Sequence, residues 1–231
     1  MRYNIILTGS SSGIGSSLGN HLTKEGHNVI GLSRRRNIQN NFETLQCDVS
    51  NYDQLKKTIS KISRVDCLIN NAGIARSGIK NEIKNFEKII QTNLNGAYYM
   101  SQLLKQKLSK SNSASIINIS SISAHQGALA NPGYVSSKSA ILGLTRALAN
   151  DYGSSHIRVN SISLGYFKTP MTIKSHKEKK RRKLISSKTI INRWGDAKDL
   201  FGLVEYLISK KAGYITGQDF VVDGGWLAKG L

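Results

Sequence analysis

The chain has 231 residues, of which 39% are apolar, enough for one α/β domain with a sizeable core. It contains no run of about 18 apolar residues and no apolar segment before a small-residue cleavage site, so we expect neither a membrane span nor a signal peptide. The net charge of +19 indicates attraction to anions, such as nucleotide phosphates, nucleic acid or an acidic protein, unless it reflects a general compositional bias. The two cysteines and five histidines show no metal-ligand spacing, which predicts reduced thiols, no metal and a cytoplasmic protein.

The first strong pattern is a glycine-rich turn between a strand and a helix. Residues 4–8 form a short apolar run typical of a buried strand, TGSSSGIG follows at 8–15, and a helical pattern comes next. Glycine allows positive φ and close approach to the backbone, and a helix N-terminus offers free N–H groups to a phosphate. The context therefore predicts nucleotide binding, with a plain tight turn as the alternative interpretation.

The end of the second predicted strand indicates which nucleotide is bound. Residues 28–32 read as this strand, and Ser33-Arg34-Arg35-Arg36 follow. An NAD site usually has an acidic residue here, which binds the ribose 2′-hydroxyl, and none is present. A serine and several guanidinium groups suit a 2′-phosphate. We therefore predict NADP(H) as the cofactor, while an exposed basic loop is the other interpretation.

The remaining elements alternate between strands and helices along the chain. Further strands are predicted at 42–47, 65–70, 115–121, 157–162 and 220–222. Helices are predicted at 51–63, at 81–109 with a break near 93–96, after Tyr134, and at 196–209 with Asp196 as N-cap. This alternation predicts a single α/β domain over residues 1–231, a Rossmann-type doubly wound parallel sheet of about seven strands flanked by helices. In such sheets ligands bind at the carboxyl ends of the strands.

Tyr134 and Lys138 lie four residues apart at the start of a predicted helix, so their side chains share one face. Such a pair is more often an exposed surface pair than a catalytic one. The argument for chemistry comes from convergence, because Gly9, Ser33 and Ser121 each follow a predicted strand and belong at the same edge of the sheet.

A set of short motifs in fixed order extends over nearly the whole chain. They are DV at 48–49, NNAG at 70–73, TNLNG at 92–96, NISS at 118–121, YxxxK at 134–138, IRVN at 157–160 and ITGQ…VDGG at 215–225. With the glycine turn, they make the chain resemble the short-chain dehydrogenase/reductase family, and within it the β-ketoacyl-[acyl-carrier-protein] reductases of fatty acid biosynthesis. One departure is Leu164-Gly165, where the family usually has Pro-Gly.

The resemblance implies roles for individual residues. Tyr134 is the expected catalytic acid and base, Lys138 lies beside it and holds the nicotinamide ribose, and Ser121 polarises the substrate carbonyl. Asn93 is expected to support a water-linked proton path to Lys138. Ser121 is preferred over Ser120 because family members place the serine thirteen residues before the tyrosine. The implied cofactor contacts are Gly9, Ser11, Gly13, Ile14 and Gly15 at the pyrophosphate, Ser33 and Arg34 at the 2′-phosphate, Asp48 and Val49 at adenine, Asn71, Ala72 and Gly73 at the adenosine ribose, and Phe167 and Thr169 at the nicotinamide, with Tyr134 and Lys138.

The expected reaction is reduction of a ketone to a secondary alcohol, in which the cofactor supplies hydride and the protein supplies a proton. A nearby ammonium should lower the pKa of Tyr134 toward the working pH. Ser121 would offer a second hydrogen bond to the oxygen that develops charge. The alternative role for Ser121 is a hydroxyl that caps the end of a strand.

The resemblance also implies a substrate lid near residues 166–190, which here contains the basic segment 174–183, with seven basic residues and one acid. We expect it to attract an acidic carrier, either acyl carrier protein or coenzyme A, although a solvated basic surface is the simpler interpretation. The alternatives are an NADP-dependent reductase of a free small ketone, sugar or other alcohol, and a non-enzymatic protein that binds nucleic acid or an acidic partner. A homotetramer is implied by the resemblance of the helices at 95–109 and 134–152.

Overall fold

The computed structural model describes residues 1–76, 82–127 and 131–229. Its strands are β1 (Asn4–Thr8), β2 (Asn28–Ser33), β3 (Glu43–Gln46), β4 (Cys67–Asn70), β5 (Ser115–Ser121), β6 (Arg158–Leu164) and β7 (Asp219–Val222). Its α-helices are α1 (Gly13–Lys24), α2 (Tyr52–Ile59), α3 (Glu82–Ile90), α4 (Gly96–Leu108), α5 (Pro132–Gly153), α6 (Ile173–Lys177), α7 (Lys179–Lys188) and α8 (Phe201–Ile208). Short 3-10 turns span Ile122–Ala124, Ala197–Leu200 and Lys210–Ala212, and a π-helical turn spans Gln91–Asn95.

The seven strands form one parallel sheet in the order β3-β2-β1-β4-β5-β6-β7. The chain winds outward from β1 in one direction and from β4 in the other, so the strand order reverses between these two strands. A cleft for a ligand opens at the carboxyl ends of the strands beside such a reversal. The predicted class, a single doubly wound α/β domain with about seven strands, is confirmed.

Two layers of helices cover the sheet, each over its own apolar core. Successive residues of β1 alternate between the two cores, with Ile5 and Leu7 on one face and Ile6 on the other. On the first face the sheet packs against α1 and α8, and on the second it packs against α2, α4 and α5. Cys47 and Cys67 are both free and buried, as predicted. In the parts of the chain that the structure covers, no helix has both the length and the apolar character that crossing a bilayer requires.

Element boundaries differ from the predictions mainly at helices. The helix predicted at 51–63 ends at Ile59, although Asn51 caps its start by accepting a hydrogen bond from the Gln54 N–H. The break predicted near 93–96 is a wide π-helical turn between α3 and α4. The helix predicted from Asp196 begins as a 3-10 turn, with Asp196 as its N-cap in a capping box. Residue 81, where the helices predicted at 81–109 were expected to begin, lies outside the described residues.

Candidate active site

A cavity of about 410 Å³ opens at the carboxyl edge of the sheet. Its volume lies within the range of small-molecule sites, roughly 300–1,000 Å³. Among the residues singled out from the sequence, all except Gly15 and Asn93 line it, and those two lie directly behind it. The convergence expected of side chains that follow parallel strands is therefore present in the structure.

The glycine turn has a shape that side chains would prevent. Gly9 adopts a φ of +68°, and a Cβ there would lie 2.8 Å from the Ala72 Cα. A Cβ on Gly15 would lie 2.3 Å from the Gly9 carbonyl oxygen, so Gly15 allows α1 to approach the turn rather than lining the cavity. The N-cap of α1, Ser12, makes no side-chain capping bond, which leaves the first N–H groups of the helix available to a phosphate.

The loop after β4 holds the glycine turn in place. Thr8 Oγ1 accepts hydrogen bonds from the N–H groups of Asn71 and Ala72, each at 3.0 Å. The Asn71 side-chain amide donates to the carbonyl oxygens of Thr8 at 3.0 Å and Gly9 at 3.2 Å. The Asn71 side chain therefore fixes the glycine turn at residues 8–15, which is also called the phosphate turn. This role differs from the ribose contact implied by its motif. Ala72 and Gly73 line the cavity beside it.

The residues after β2 present an exposed, basic rim to the cavity. Arg34 and Arg35 line it, and Ser33 lies buried at the strand end. The Ser33 hydroxyl donates to the carbonyl oxygen of Arg35, so in this conformation it shapes the turn, and donation to a 2′-phosphate would require it to rotate. Arg35 lines the cavity although only Arg34 was singled out from the sequence.

Asp48 follows β3 and is kept ionised by its surroundings. Burial alone would raise its pKa, but hydrogen bonds from the Ser50 hydroxyl at 2.7 Å and the Ser50 N–H at 2.9 Å, with the charges of Lys88 and Arg34, lower it. A carboxylate at the cavity wall can accept a hydrogen bond from an amino group such as that of adenine. The adjacent Val49 is buried and lines the same wall.

Asn93 lies in the π-helical turn, which rotates its amide toward the sheet edge. Its Oδ1 accepts from the Ile74 N–H at 2.8 Å, and its Nδ2 donates to the Ile74 carbonyl at 3.0 Å and to the Ser137 hydroxyl at 3.0 Å. The Ser137 hydroxyl in turn donates to the Tyr134 carbonyl oxygen. Asn93 thus ties the loop after β4 to the first turn of α5. π-helical turns often occur at functional sites.

Ser121, Tyr134 and Lys138, the three residues predicted to react with the substrate carbonyl, line the same cavity. Tyr134 lies in the first turn of α5, and the Lys138 Nζ is 5.8 Å from the centre of its ring. The Ser121 hydroxyl accepts from the Ser123 N–H at 3.2 Å and lies close enough to the Tyr134 phenol to lower its pKa. The capping role of Ser121 is therefore present, and its catalytic role stays a prediction. Ser120 instead donates to the Lys138 carbonyl oxygen at 3.0 Å.

The protonation of this group differs from the expectation. Burial raises the pKa of Tyr134, and the hydrogen bond from Ser121 only partly opposes that rise, so the prediction that Lys138 lowers it is wrong for the protein without cofactor. The reason is that Lys138 is itself buried, which lowers its pKa to about 8, and its Nζ donates to the Ile119 carbonyl at 2.7 Å rather than to the phenol. A lysine with this pKa can gain and lose a proton near neutral pH.

The segment after β6 closes the other side of the cavity. Phe167 is buried, and Thr169 donates its N–H to Thr172 Oγ1 at 3.1 Å. The Thr172 hydroxyl donates back to the Phe167 carbonyl oxygen, which locks this short turn beside the glycine turn. A Cβ at Gly165 would lie 2.7 Å from the Asp223 Cα, so glycine is required there, whereas the unusual Leu164 ends β6 as a buried strand residue.

Sequence reasoning missed part of the lining. Cys47, Ile74, Thr92, Met171 and Thr172 line the cavity but were not singled out. Cys47 and Ile74 lie beside predicted site residues, and their position at strand ends was a usable signal. Met171 and Thr172 belong to a turn whose path depends on tertiary contacts, and no pattern in the sequence marks it.

Comparison with known proteins places this site in a family. A family model described as enoyl-(acyl carrier protein) reductase matches residues 9–227. The 2-dehydro-3-deoxy-D-gluconate 5-dehydrogenase of Dickeya dadantii is 32% identical, over 97% of this chain and 95% of that protein. The 3-oxoacyl-[acyl-carrier-protein] reductase FabG of Rickettsia typhi is 33% identical, over 96% of this chain and 95% of that protein. The chain belongs to the short-chain dehydrogenase/reductase family.

Solved structures of other short-chain dehydrogenases/reductases agree with this. The aldohexose dehydrogenase of Thermoplasma acidophilum superposes with a TM-score of 0.92 at 31% identity, covering 99% of this chain and 95% of that one. The 4-hydroxyisoleucine dehydrogenase complexed with NADH superposes with a TM-score of 0.90 at 32% identity, covering 99% of this chain and 100% of that one. A structure provisionally described as a gluconate 5-dehydrogenase of Beutenbergia cavernae, with NADP at low occupancy, superposes with a TM-score of 0.90 at 28% identity. It covers 98% of this chain and 97% of that one.

This short-chain dehydrogenase/reductase is therefore an oxidoreductase acting on CH–OH groups with a nicotinamide dinucleotide. The cavity fits such a cofactor on its own geometry. The turn has no room for a Cβ at Gly9, the start of α1 offers N–H groups to a pyrophosphate, and a carboxylate stands at the opposite wall. One continuous cavity extends from the phosphate turn to Tyr134, as a long dinucleotide requires.

Proposed function

We propose that this protein is an NADP(H)-dependent reductase that converts a ketone to a secondary alcohol, and that the ketone is a β-ketoacyl thioester linked to acyl carrier protein or coenzyme A. The supporting observation is the meeting of Ser121, Tyr134 and Lys138 in the cavity that begins at the glycine turn. Tyr134 donates the proton to the carbonyl oxygen, and Ser121 donates a second hydrogen bond to the same oxygen. When bound, the nicotinamide supplies the hydride.

Lys138 and Asn93 serve the proton supply in this proposal. With a pKa of about 8, Lys138 can pass a proton toward the phenol and recover one from solvent near neutral pH. Both Nδ2 hydrogens of Asn93 are bonded, to the Ile74 carbonyl and the Ser137 hydroxyl, and its Oδ1 accepts from the Ile74 N–H, so Asn93 acts by fixing the Ile74 loop along which water reaches Lys138. Gly73 lies between these two side chains, since a Cβ there would be in van der Waals contact with the Asn93 Oδ1 at 3.4 Å and the Lys138 Nζ at 3.6 Å.

The preference for NADP(H) over NAD(H) follows from the basic rim. Arg34 and Arg35 carry exposed guanidinium groups at the cavity wall, and no acidic residue occupies the position at the end of β2. The test compares kcat/KM with NADPH and NADH for the native protein and for Arg34→Ala. We expect NADPH to be preferred and the variant to lose that preference, and a native preference for NADH would contradict the cofactor proposal.

The carrier-linked substrate is supported by the charge of the lid near 166–190. Helix α7 exposes the cluster Lys179, Lys180, Arg181, Arg182 and Lys183 to solvent, α6 exposes Lys174 and Lys177, and the one acid, Glu178, lies between the two helices. Such a cluster steers an acidic carrier or a phosphate group toward the adjacent cavity, and this attraction weakens with salt.

The test of this substrate measures KM for acetoacetyl-carrier, acetoacetyl-coenzyme A and free acetoacetate esters across salt concentrations. The variant Lys179→Gln/Lys180→Gln should raise KM for the charged substrates only. The matched control is Lys56→Gln/Lys57→Gln, which removes two exposed charges from α2 on another part of the surface. If KM changes equally with salt for charged and uncharged substrates, the carrier proposal is refuted.

A second candidate substrate is a free sugar acid. It is favoured by the relatives that are 2-dehydro-3-deoxy-D-gluconate 5-dehydrogenases and by the neighbouring structure of an aldohexose dehydrogenase. Oxidation of 2-dehydro-3-deoxy-D-gluconate with NADP⁺ should be assayed beside reduction of the acetoacetyl thioesters. The substrate with the higher kcat/KM decides between the two, and activity with neither would leave other small ketones and alcohols to be screened.

We also propose that the enzyme is a cytoplasmic homotetramer. Tyr52 and Tyr98 expose 45% and 42% of their surfaces on α2 and α4, and both rings contact Tyr99, which forms an aromatic patch suited to a subunit contact. Light scattering after size-exclusion chromatography should give four times the 25.4 kDa chain mass. A monomer would contradict this part of the proposal.

A further inference from the structure

The arginine rim belongs to a loop, residues 34–41, that apolar packing does not hold. Ile38 near its tip is 97% exposed, and Arg34, Arg35 and Arg36 are exposed as well. Packing resumes only at Phe42, whose ring lies against two glycines: a Cβ on Gly19 would be 2.3 Å from the ring, and one on Gly31 would be 2.7 Å from it. An exposed loop of this kind is mobile unless polar bonds restrain it.

Two asparagines supply those restraints, and both bind the phosphate turn. The Asn37 Nδ2 donates to the Ser11 carbonyl at 3.1 Å, and the Asn40 Nδ2 donates to the Ser10 carbonyl at 3.0 Å. The Asn40 Oδ1 accepts from the Ser16 hydroxyl in α1 at 2.6 Å. The loop is therefore attached to the glycine turn at two successive carbonyls and to the first turns of α1 at a third point.

The same two residues also shape the loop itself. The Asn37 Oδ1 accepts from the Gln39 N–H at 3.0 Å, and the Asn37 carbonyl accepts from the Asn40 N–H at 3.2 Å. At the start of the loop, the Arg34 carbonyl accepts from the Gln46 Nε2 at 3.1 Å. These bonds fix the backbone that carries the arginines while leaving their side chains open to solvent.

The three arginines have no acidic partner of their own. Within the described ranges 1–76, 82–127 and 131–229, none of the ion pairs closer than 4.0 Å involves Arg34, Arg35 or Arg36. All three side chains are exposed, Arg34 and Arg35 line the cavity wall, and the charge of Arg34 also acts on the Asp48 carboxylate. A phosphate group on the adenosine ribose would be bound by a site that is already ordered, which lowers the entropy cost of binding.

We infer that Asn37 and Asn40 form a clamp that sets the enzyme's discrimination between NADP(H) and NAD(H), by holding the arginine loop to the phosphate turn. This inference rests on the proposed preference for NADP(H). The clamp residues are positioning residues, since the contacts that they make are with the protein and not with the cofactor. Their effect is expected in cofactor affinity and in the NADPH to NADH ratio rather than in kcat.

The test uses the full-length variant Asn37→Ala/Asn40→Ala and titrations that follow the fluorescence of bound NADPH and NADH. Loss of the bonds that preorganise the loop should weaken NADPH binding roughly tenfold and NADH binding less than twofold. The probes 2′,5′-ADP and ADP should show the same difference without any substrate. The single variant Asn37→Ala, which leaves the Asn40 bonds intact, should show roughly a threefold loss for NADPH and serves if the double variant folds poorly.

The matched control is Asn41→Ala. Asn41 lies in the same loop, but its bonds go to Asn20 rather than to the phosphate turn, so the control should bind both cofactors as the native protein does. Equal losses for NADPH and NADH in the clamp variant would show that the asparagines only stabilise the turn, and unchanged binding would show that they do nothing for the loop; either overturns the clamp. A native protein that prefers NADH refutes the cofactor proposal itself, and the clamp with it.

Discussion

Replacing Lys138 with methionine should remove activity and at the same time stabilise the protein at neutral pH. Lys138 is 5% exposed, and burial lowers its pKa from the ordinary 10.5 to about 8. The folded state therefore resists the charged form that the unfolded chain carries freely. Methionine is nearly the same size, has no charge, and fills the same space without this penalty.

The magnitude follows from the two pKa values. A fall from 10.5 to about 8 corresponds to about 3 kcal/mol of lost stability at pH values below 8. The variant also loses the hydrogen bond from Nζ to the Ile119 carbonyl, worth about 1 kcal/mol. The net expected gain is roughly 2 kcal/mol at pH 7, or a rise in Tm of roughly 4–8 °C for a chain of this size.

The pH dependence gives the prediction its signature. The unfolded chain binds more protons at Lys138 than the folded protein between pH 8 and 10.5, so the penalty is complete below about pH 8 and disappears as the pH rises through that window. Urea denaturation of both proteins at pH 7, 9 and 10.5 measures the difference. A variant that is no more stable than the native protein at pH 7, or a gain that stays constant to pH 10.5, would refute the reasoning.

Three further substitutions test other parts of the site. Ser121→Ala should lower kcat by roughly 10²-fold with NADPH affinity unchanged, because the hydroxyl acts on the developing oxyanion; a matching loss of NADPH affinity would argue against this role. Gly15→Ala should abolish NADPH binding in titrations, since its Cβ would lie 2.3 Å from the Gly9 carbonyl oxygen. Gly202→Ala is the matched helical control: nothing lies within 4 Å of its Cβ, and a gain of roughly 0.5–1 kcal/mol in urea denaturation is expected.

Strands and strand-end residues were predictable from the sequence because they depend on local patterns. The predicted bounds of β1 and β5 agree with the structure at every residue. Both are buried strands bounded by a turn residue, and parallel topology then places the residues that follow them at one edge. This is why the sequence alone predicts that Gly9 and Ser121 lie in one cavity.

What could not be predicted are contacts set by side-chain orientation. No pattern shows that the Asn71 amide holds the glycine turn, or that the Ser33 hydroxyl bonds the Arg35 carbonyl. The direction of the Tyr134 pKa was mispredicted because spacing along a helix reveals which residues are neighbours but not where an ammonium points. Asn37 lies 26 positions from its partner Ser11, and Asn40 lies 30 positions from its partner Ser10. No local pattern in the sequence indicates the clamp that these two bonds form.

The most direct measurement for the central claim is turnover by Tyr134→Phe, followed through NADPH absorbance with the best ketone substrate. In the proposed mechanism the phenol supplies the proton, whereas the ring contributes packing that phenylalanine keeps. We therefore predict a loss of kcat of at least 10²–10⁴-fold, with the Kd for NADPH within about twofold of the native value. Turnover near the native rate in this variant would contradict the assignment of Tyr134 as the proton donor, and with it the proposed mechanism.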